Sequence, residues 1–202
     1  MIKAIIFDLG DVIVKVDRTE QFRKFSAKSC KDAFSIRQYL DGRIKGEFGI
    51  GEISPRQFYQ RVCCELGLKM SFEEFKKEWC GIFKLNTDVA QLIENLKGKF
   101  KLILLSNTDA LHFPYIRNKF KVINAFDELI LSYEIGCMKP NPLIFLNALK
   151  KAKTLPFNCV YIDDIPEFVY VARLMGIRAF QYKNFKKLKS DLSKVGILTK
   201  TL

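Results

Sequence analysis

The chain begins with a strand that has no solvent face. Ile2, Ala4, Ile5, Ile6 and Phe7 form an apolar run broken only by Lys3, and the run stops at Asp8. Short runs of this kind suit parallel strands covered on both sides, the signature of α/β architecture. Leu9, Gly10 and Asp11 then make a turn. In open parallel sheets, ligands sit just beyond the carboxyl ends of the strands. An aspartate placed there is a candidate nucleophile or metal ligand; in the plainer alternative it only closes a βα turn.

The pattern recurs downstream. Phe100–Leu105 reads as a buried strand ending in Ser106 and Asn107, and Cys159–Ile162 as another ending in Asp163 and Asp164. Leu129–Leu131 and Ile177–Gln181 complete a set of five. Helical patterns lie between them at 88–97, 109–119 (where Pro114 should bend or shorten the helix), 142–151, 166–175 and 185–194. Strands alternating with helices predict a doubly wound, parallel, five-stranded sheet with right-handed crossovers. The interval 17–86 departs from this. Its apolar residues keep a helical period, and Ser54–Gln57 and Ser71–Glu74 are capping boxes that open helices to Leu66 and to about Phe83. Asp41–Ile53, with four glycines, reads as loop, and no strand is expected in the interval. The expected organisation is therefore a core of residues 1–16 and 87–202 with an all-helical cap, 17–86, inserted after the first strand.

With 202 residues, 49% of them hydrophobic, the chain is long enough to bury a substantial core. No apolar run nears the ~18 residues of a membrane span, and Asp8 interrupts the only apolar stretch at the start, unlike a secretory leader. The expectation is a soluble cytoplasmic protein with no membrane partner. Cys30, Cys63, Cys64, Cys80, Cys137 and Cys159 show no metal-binding spacing and read as reduced, mostly packed thiols. The net charge of +12 invites nucleic acid, yet no basic arm, finger or basic-aromatic motif accompanies it. The densest cluster, Lys183–Lys189, reads as a solvated helix face, so no nucleic-acid partner is expected. A positive surface also attracts small anions.

If the first strand lies centrally, Asp8, Ser106, Asn107, Asp163 and Asp164 converge on one crevice, with Lys139 on a neighbouring loop. Three carboxylates do not stay ionised together without cations. Lys139 supplies one charge, and a divalent ion on oxygen-only ligands, Mg²⁺ by preference, supplies two. Ser106 and Asn107 can donate hydrogen bonds to phosphate oxygens. The set is suited to an anion held beside Mg²⁺ with a carboxylate in line for attack.

Taken in order, Asp8-Leu9-Gly10-Asp11-Val12, Leu105-Ser106-Asn107, Lys139-Pro140 and Ile162-Asp163-Asp164 resemble the motifs of the haloacid dehalogenase (HAD) superfamily, over essentially the whole chain. More narrowly, FDLGDVIV, LSNTDALH, GCMKPNPLIF and GEIS resemble a bacterial subgroup of phosphatases acting on sugar phosphates such as glucose 1-phosphate. The resemblance implies a Mg²⁺-dependent phosphatase of small phosphorylated metabolites, monomeric or homodimeric. Asp8 would attack phosphorus and form an aspartyl-phosphate. The second Asp8 oxygen, the Gly10 carbonyl and Asp164 would hold the metal, with Asp163 on it or just behind it. Ser106 and Asn107 would hold the phosphoryl group, and Lys139 would neutralise it and orient Asp8.

The chain departs from the family pattern in two places. Gly10 stands where most of these phosphatases carry an aspartate as general acid and base, a function worth about 10²–10⁴-fold in a step that needs it. Asp11 and His112 are the candidate substitutes for proton transfer; in the plainer alternative Asp11 is a turn residue and His112 an ordinary helix residue. Phe168 stands where an asparagine often follows the acidic pair. In the cap, Arg43, Lys45 and Glu52 are candidates to reach a sugar or second anion, or are solvated charges. Two other activities stay open: a metal-free haloacid-dehalogenase-type hydrolase using an Asp8 ester, since halide leaves unprotonated, and a non-catalytic phosphometabolite-binding protein.

Overall fold

A computed structural model describes residues 1–198. Residues 199–202, which the sequence reading includes in the core, lie outside the described residues. In chain order the elements are β1 (Ala4–Phe7), β2 (Val14–Val16), α1 (Thr19–Ala27), α2 (Ala33–Leu40), α3 (Arg43–Gly49), α4 (Pro55–Leu66), α5 (Phe72–Cys80), β3 (Phe83–Leu85), α6 (Thr87–Leu96), β4 (Lys101–Ser106), α7 (His112–Lys119), β5 (Glu128–Leu131), α8 (Ser132–Ile135), α9 (Pro142–Ala152), β6 (Cys159–Asp163), α10 (Pro166–Leu174), β7 (Arg178–Gln181) and α11 (Phe185–Lys194).

The main sheet has five parallel strands in the order β5-β4-β1-β6-β7. Every residue of β1 is buried, as its continuous apolar run requires. Alternation along the strands divides the core in two. Ile5, Phe7, Leu102, Leu104, Val160 and Ile162 pack on one face against residues of α6, α7 and α11. Ala4, Ile6, Ile103, Leu105 and Tyr161 pack on the other against α9 and α10. With β1 in the middle, the carboxyl ends of β1, β4 and β6 are neighbours, and the side chains that follow them meet.

A separate hydrophobic core joins α1 to α5. Phe48 stacks on Phe58 at 4.2 Å, and Phe25, Phe75 and Trp79 continue the aromatic cluster. Both predicted capping boxes form, at Ser54–Gln57 and Ser71–Glu74. The helical block ends at Cys80, earlier than the expected Phe83. Residues 83–85 instead form β3, which pairs antiparallel with β2, so the two chain segments joining cap and core are hydrogen-bonded to each other.

The stretch read as a glycine-rich loop contains α3. Each helical glycine costs about 1 kcal/mol, but Ile44 and Phe48, four apart, bury on the cap core and offset it. The glycines serve close approach rather than disorder. A Cβ on Gly49 would lie 2.9 Å from Met138 Sδ; on Gly51, at φ +77°, it would lie 2.4 Å from the Tyr133 carbonyl oxygen. Pro114 does not bend α7, because the helix starts at His112 and the proline falls in its first turn, where no intrahelical N–H is needed. The six cysteines are free, with only Cys80 and Cys159 buried, so the thiols are less packed than expected. On α11, Lys186, Lys187 and Lys189 are exposed while Leu188 and Leu192 are buried. Among the described residues, no helix is long and apolar enough to cross a membrane.

Candidate active site

Asp8 is the first residue past β1, and its N–H still donates to the Ile162 carbonyl at 2.9 Å. That bond fixes the backbone, so the carboxylate stands over the sheet's carboxyl edge. Lys139 Nζ donates to Asp8 Oδ1 at 2.6 Å, to Asp163 Oδ2 at 2.6 Å and to the Leu105 carbonyl at 3.3 Å. The lysine is only 4% exposed, so each of its three hydrogens needs a partner, and each has one. Phe168, whose ring centre is 5.1 Å from Nζ, covers the ammonium. The phenyl ring that replaces the family's usual asparagine therefore packs on the charge.

Asn107, read as a phosphate ligand, has its side chain engaged elsewhere. Its Oδ1 accepts the Lys139 N–H at 2.8 Å and its Nδ2 donates to the Lys139 carbonyl at 2.9 Å, a two-point clamp on the lysine's backbone. Ser106 lines the cavity beside it.

Asp163 is fully buried. Its Oδ2 accepts from Lys139 and from the Tyr161 hydroxyl, and its Oδ1 accepts the Ile165 N–H at 2.8 Å. Tyr161 did not figure in the sequence reading. The signal for it was there: residues i and i+2 of a strand share a face, so a tyrosine two before a buried aspartate is placed to bond it. Asp164, half-buried, faces the cavity.

Oxygens of Asp8, Asp163 and Asp164 lie within 4.8 Å of one another. Burial, followed by repulsion from Asp163, raises the Asp164 carboxyl to about 6. Burial likewise pushes Asp8 up to about 7, against the pull of Lys139. Burial alone would lower Lys139, but Asp8 and Asp163 together hold it above its ordinary value. One lysine thus leaves the carboxylates under-neutralised, and their oxygen-only donor set fits a hard divalent cation. The Gly10 carbonyl accepts the Val12 N–H at 2.7 Å and keeps a second lone pair.

Both candidates for proton transfer line the cavity, and each has hydrogen-bond partners of its own. Asp11 sits at φ +50°, in the left-handed region, and its Oδ1 accepts the Val16 N–H at 3.1 Å, as a turn residue does. His112 Nδ1 lies 2.7 Å from Asp109 Oδ2 and Nε2 lies 2.9 Å from the Trp79 carbonyl. Its ring stacks on Trp79 at 4.8 Å and meets Phe83 edge-on at 4.9 Å. Both nitrogens are engaged, and the imidazole ties the core to the cap. Burial works to raise Asp109, but His112 and the backbone N–H groups of His112 and Leu111 bring it below the usual carboxylate range.

A cavity of about 520 Å³ opens above these groups and is roofed by the cap. Arg43 does not line it: its side chain is 92% exposed and pairs with Glu47, because position 43 on α3 points away from Ile44 and Phe48. Glu52 is also exposed and outside the lining. Lys45 does line it, together with Arg18 and Asp41, neither of which the sequence singled out.

The haloacid dehalogenase-like hydrolase model matches residues 2–172. A D-ribitol-5-phosphate phosphatase of Bacteroides thetaiotaomicron is 30% identical, over 96% of this chain and 98% of its own. A phosphorylated carbohydrates phosphatase of Thermotoga maritima is 24% identical, over 87% of this chain and 82% of its own. A HAD family enzyme of Bacteroides thetaiotaomicron, crystallised with magnesium and inorganic phosphate, superposes with a TM-score of 0.82 at 28% identity, covering 91% of this chain and 95% of that one. The nucleophile-like aspartate, the buried lysine and the acidic pair thus stand on a shared fold, and the chain belongs to the haloacid dehalogenase-like hydrolase family.

Proposed function

We propose that the protein is a Mg²⁺-dependent phosphomonoesterase of small phosphorylated carbohydrates that works through an aspartyl-phosphate on Asp8. The observation that carries this reading is Asp8 paired with a fully buried Lys139 beside two further aspartates at the centre of the sheet edge. The names of the two relatives support the carbohydrate class.

Lys139 binds Oδ1 of Asp8 and leaves Oδ2 free to attack phosphorus. Attack forms the Oδ2–P bond and breaks the bond to the leaving oxygen; water then cleaves the aspartyl-phosphate and releases phosphate. Asp8, Asp164 and the Gly10 carbonyl would hold Mg²⁺, with Asp163 behind them. Bound there, Mg²⁺ would neutralise charge on the phosphoryl oxygens. Lys139 lowers the charge that an incoming phosphate meets, and Ser106 together with backbone N–H groups after β4 receives its oxygens. Asn107 acts through Lys139, by fixing its backbone. With Gly10 lacking an acid and both His112 nitrogens engaged, the leaving oxygen takes its proton from water.

Phosphate release from sugar phosphates, measured with Mg²⁺ and with EDTA, tests the reading. Turnover that needs both Mg²⁺ and Asp8, and vanishes in Asp8→Asn, is expected. One observation favours a second reading: Gly10 puts no side-chain acid two residues after Asp8, and a halide would need none. Halide release from 2-haloacids in EDTA, without phosphate release in Mg²⁺, would replace the first reading with that one.

A further inference from the structure

The cap's contribution to the cavity is a small polar array around Asp41. Arg18 packs near two aromatic rings, its guanidinium carbon 4.9 Å from the centre of Phe22 and 5.7 Å from that of Trp79. Its Nη1 donates to Asp41 Oδ1 at 2.6 Å and its Nε to Gln21 Oε1 at 3.1 Å. Gln21, buried, donates in turn to the Trp79 carbonyl at 3.2 Å. The guanidinium is therefore held by hydrogen bonds at Nη1 and Nε and packed by two rings, and it fixes the carboxylate it binds. Lys45 Nζ reaches the same Oδ1 at 3.2 Å.

The other oxygen of Asp41 is different. Its nearest cation, Arg37 Nε, is 3.6 Å away, beyond hydrogen-bond distance. Burial works against ionisation of this carboxyl, but Arg18 and Lys45 outweigh it and keep the group below its usual range. The cavity lining thus includes an ionised carboxylate, Asp41, with one oxygen, Oδ2, free of hydrogen bonds, next to a donor, Lys45 Nζ, with hydrogens to spare. A hydroxyl group both donates and accepts, so a pair of neighbouring hydroxyls satisfies both. A second phosphate or a carboxylate only accepts, so it can bond Lys45 but leaves the free Asp41 oxygen without a donor. An aliphatic tail would bury Oδ2 without a partner. The cavity, about 520 Å³, is far larger than a phosphate needs and lies within the usual range for small-molecule sites.

We propose that Asp41, positioned by Arg18, is the specificity-determining residue of this site, accepting hydrogen bonds from hydroxyls of an uncharged polyhydroxylated chain whose phosphate sits at Asp8. This rests on the phosphatase reading and names the part of the substrate that the cap selects. Asp41 touches the substrate; Arg18 is a positioning residue acting through it.

The test compares kcat/KM for D-ribitol 5-phosphate and n-pentyl phosphate, which share chain length and leaving group but not hydroxyls, with p-nitrophenyl phosphate as a general phosphatase probe. Wild type should prefer the ribitol ester by about a hundredfold, since a site built to bond hydroxyls rejects the analogue lacking them. Asp41→Ala should shrink that ratio by about tenfold or more, and Asp41→Asn, which keeps the shape, should shrink it less. Arg18→Lys should raise KM for the ribitol ester more than it lowers kcat. A merely structural role would lower both esters together and leave the ratio intact. Equal kcat/KM for the two esters in wild type, or an unchanged ratio in both Asp41 variants, overturns this proposal while p-nitrophenyl phosphate turnover leaves the phosphatase reading standing. No turnover of any of the three overturns both.

Discussion

Lys139 and Arg18 are both cations that hold a carboxylate at 2.6 Å on the wall of one cavity, yet their surroundings differ sharply. Lys139 and Asp163 have side chains 1% and 0% exposed, whereas Arg18 and Asp41 are at 18% and 36%. On the floor, water cannot rescue a lost partner, so every hydrogen and lone pair must be matched inside the protein. On the roof, water competes and an ion pair is worth at most about 1 kcal/mol. The floor can thus keep the reacting groups in one arrangement, while the roof can present different polar groups at little cost to folding. Under the proposed function, chemistry falls to the floor and selectivity to the roof, each the part whose electrostatics suit it.

Removing the floor's cation should have the largest effect. Lys139→Met leaves Asp8 and Asp163 as uncompensated buried carboxylates, with an expected loss of about 3–5 kcal/mol in urea unfolding and no measurable phosphate release. Arg18→Met, by contrast, should cost about 1 kcal/mol or less. Equal losses at the two sites would erase the contrast drawn here. Next comes the seam where cap meets core. Gly51→Ala forces a side chain into the left-handed region and against the Tyr133 carbonyl oxygen, and should cost about 1–3 kcal/mol. Gly46→Ala, where nothing lies within 4 Å of the new Cβ, should stabilise α3 by up to about 1 kcal/mol.

A smaller effect is expected from pH. Asp8 and Asp164 titrate at about 7 and about 6 in the metal-free fold, above their unfolded values. The folded state therefore binds more protons than the unfolded chain between roughly pH 4 and 7, and stability falls as pH rises through that window. In EDTA, Tm should drop by a few degrees from pH 5 to pH 8, and Asp8→Asn should flatten the slope. Mg²⁺ competes with those protons, so it should raise Tm more at pH 8 than at pH 5. A Tm that climbs over this range in EDTA would contradict the burial argument. The smallest effect belongs to Arg43→Ala. With its side chain 92% exposed, stability should move by less than about 0.5 kcal/mol and kcat/KM not measurably.

The strands and their polar ends were legible because each is a local pattern. The run from Ile2 to Phe7 declares a buried strand within six residues, and Ser54 declares a helix start through Gln57, three residues on. Three such strand ends and one loop, read in order, were enough to place Asp8, Lys139, Asp163 and Asp164 around one crevice. What the local pattern left open has the opposite character. Asn107 has a phosphate-binding side chain by type, but it is spent on Lys139, 32 residues away. His112 has the right chemistry for proton transfer, but Trp79 and Asp109 hold both nitrogens. The glycines of 41–53 look like loop residues until Met138 and Tyr133 are seen to pack against Gly49 and Gly51.

Elements, their order and the types of side chain at strand ends follow from interactions spanning a few residues, and these act on any stretch of chain as soon as it exists. Which of those side chains remain free, and how strongly each holds its proton, depends on burial and on partners such as Lys139 and Asp8, 131 residues apart. Low dielectric and close packing come into being only when the sheet closes and the cap docks on it. The charges of Asp8 and Asp164, the fixed carboxylate of Asp41 and the engaged ring of His112 are properties of that assembled state.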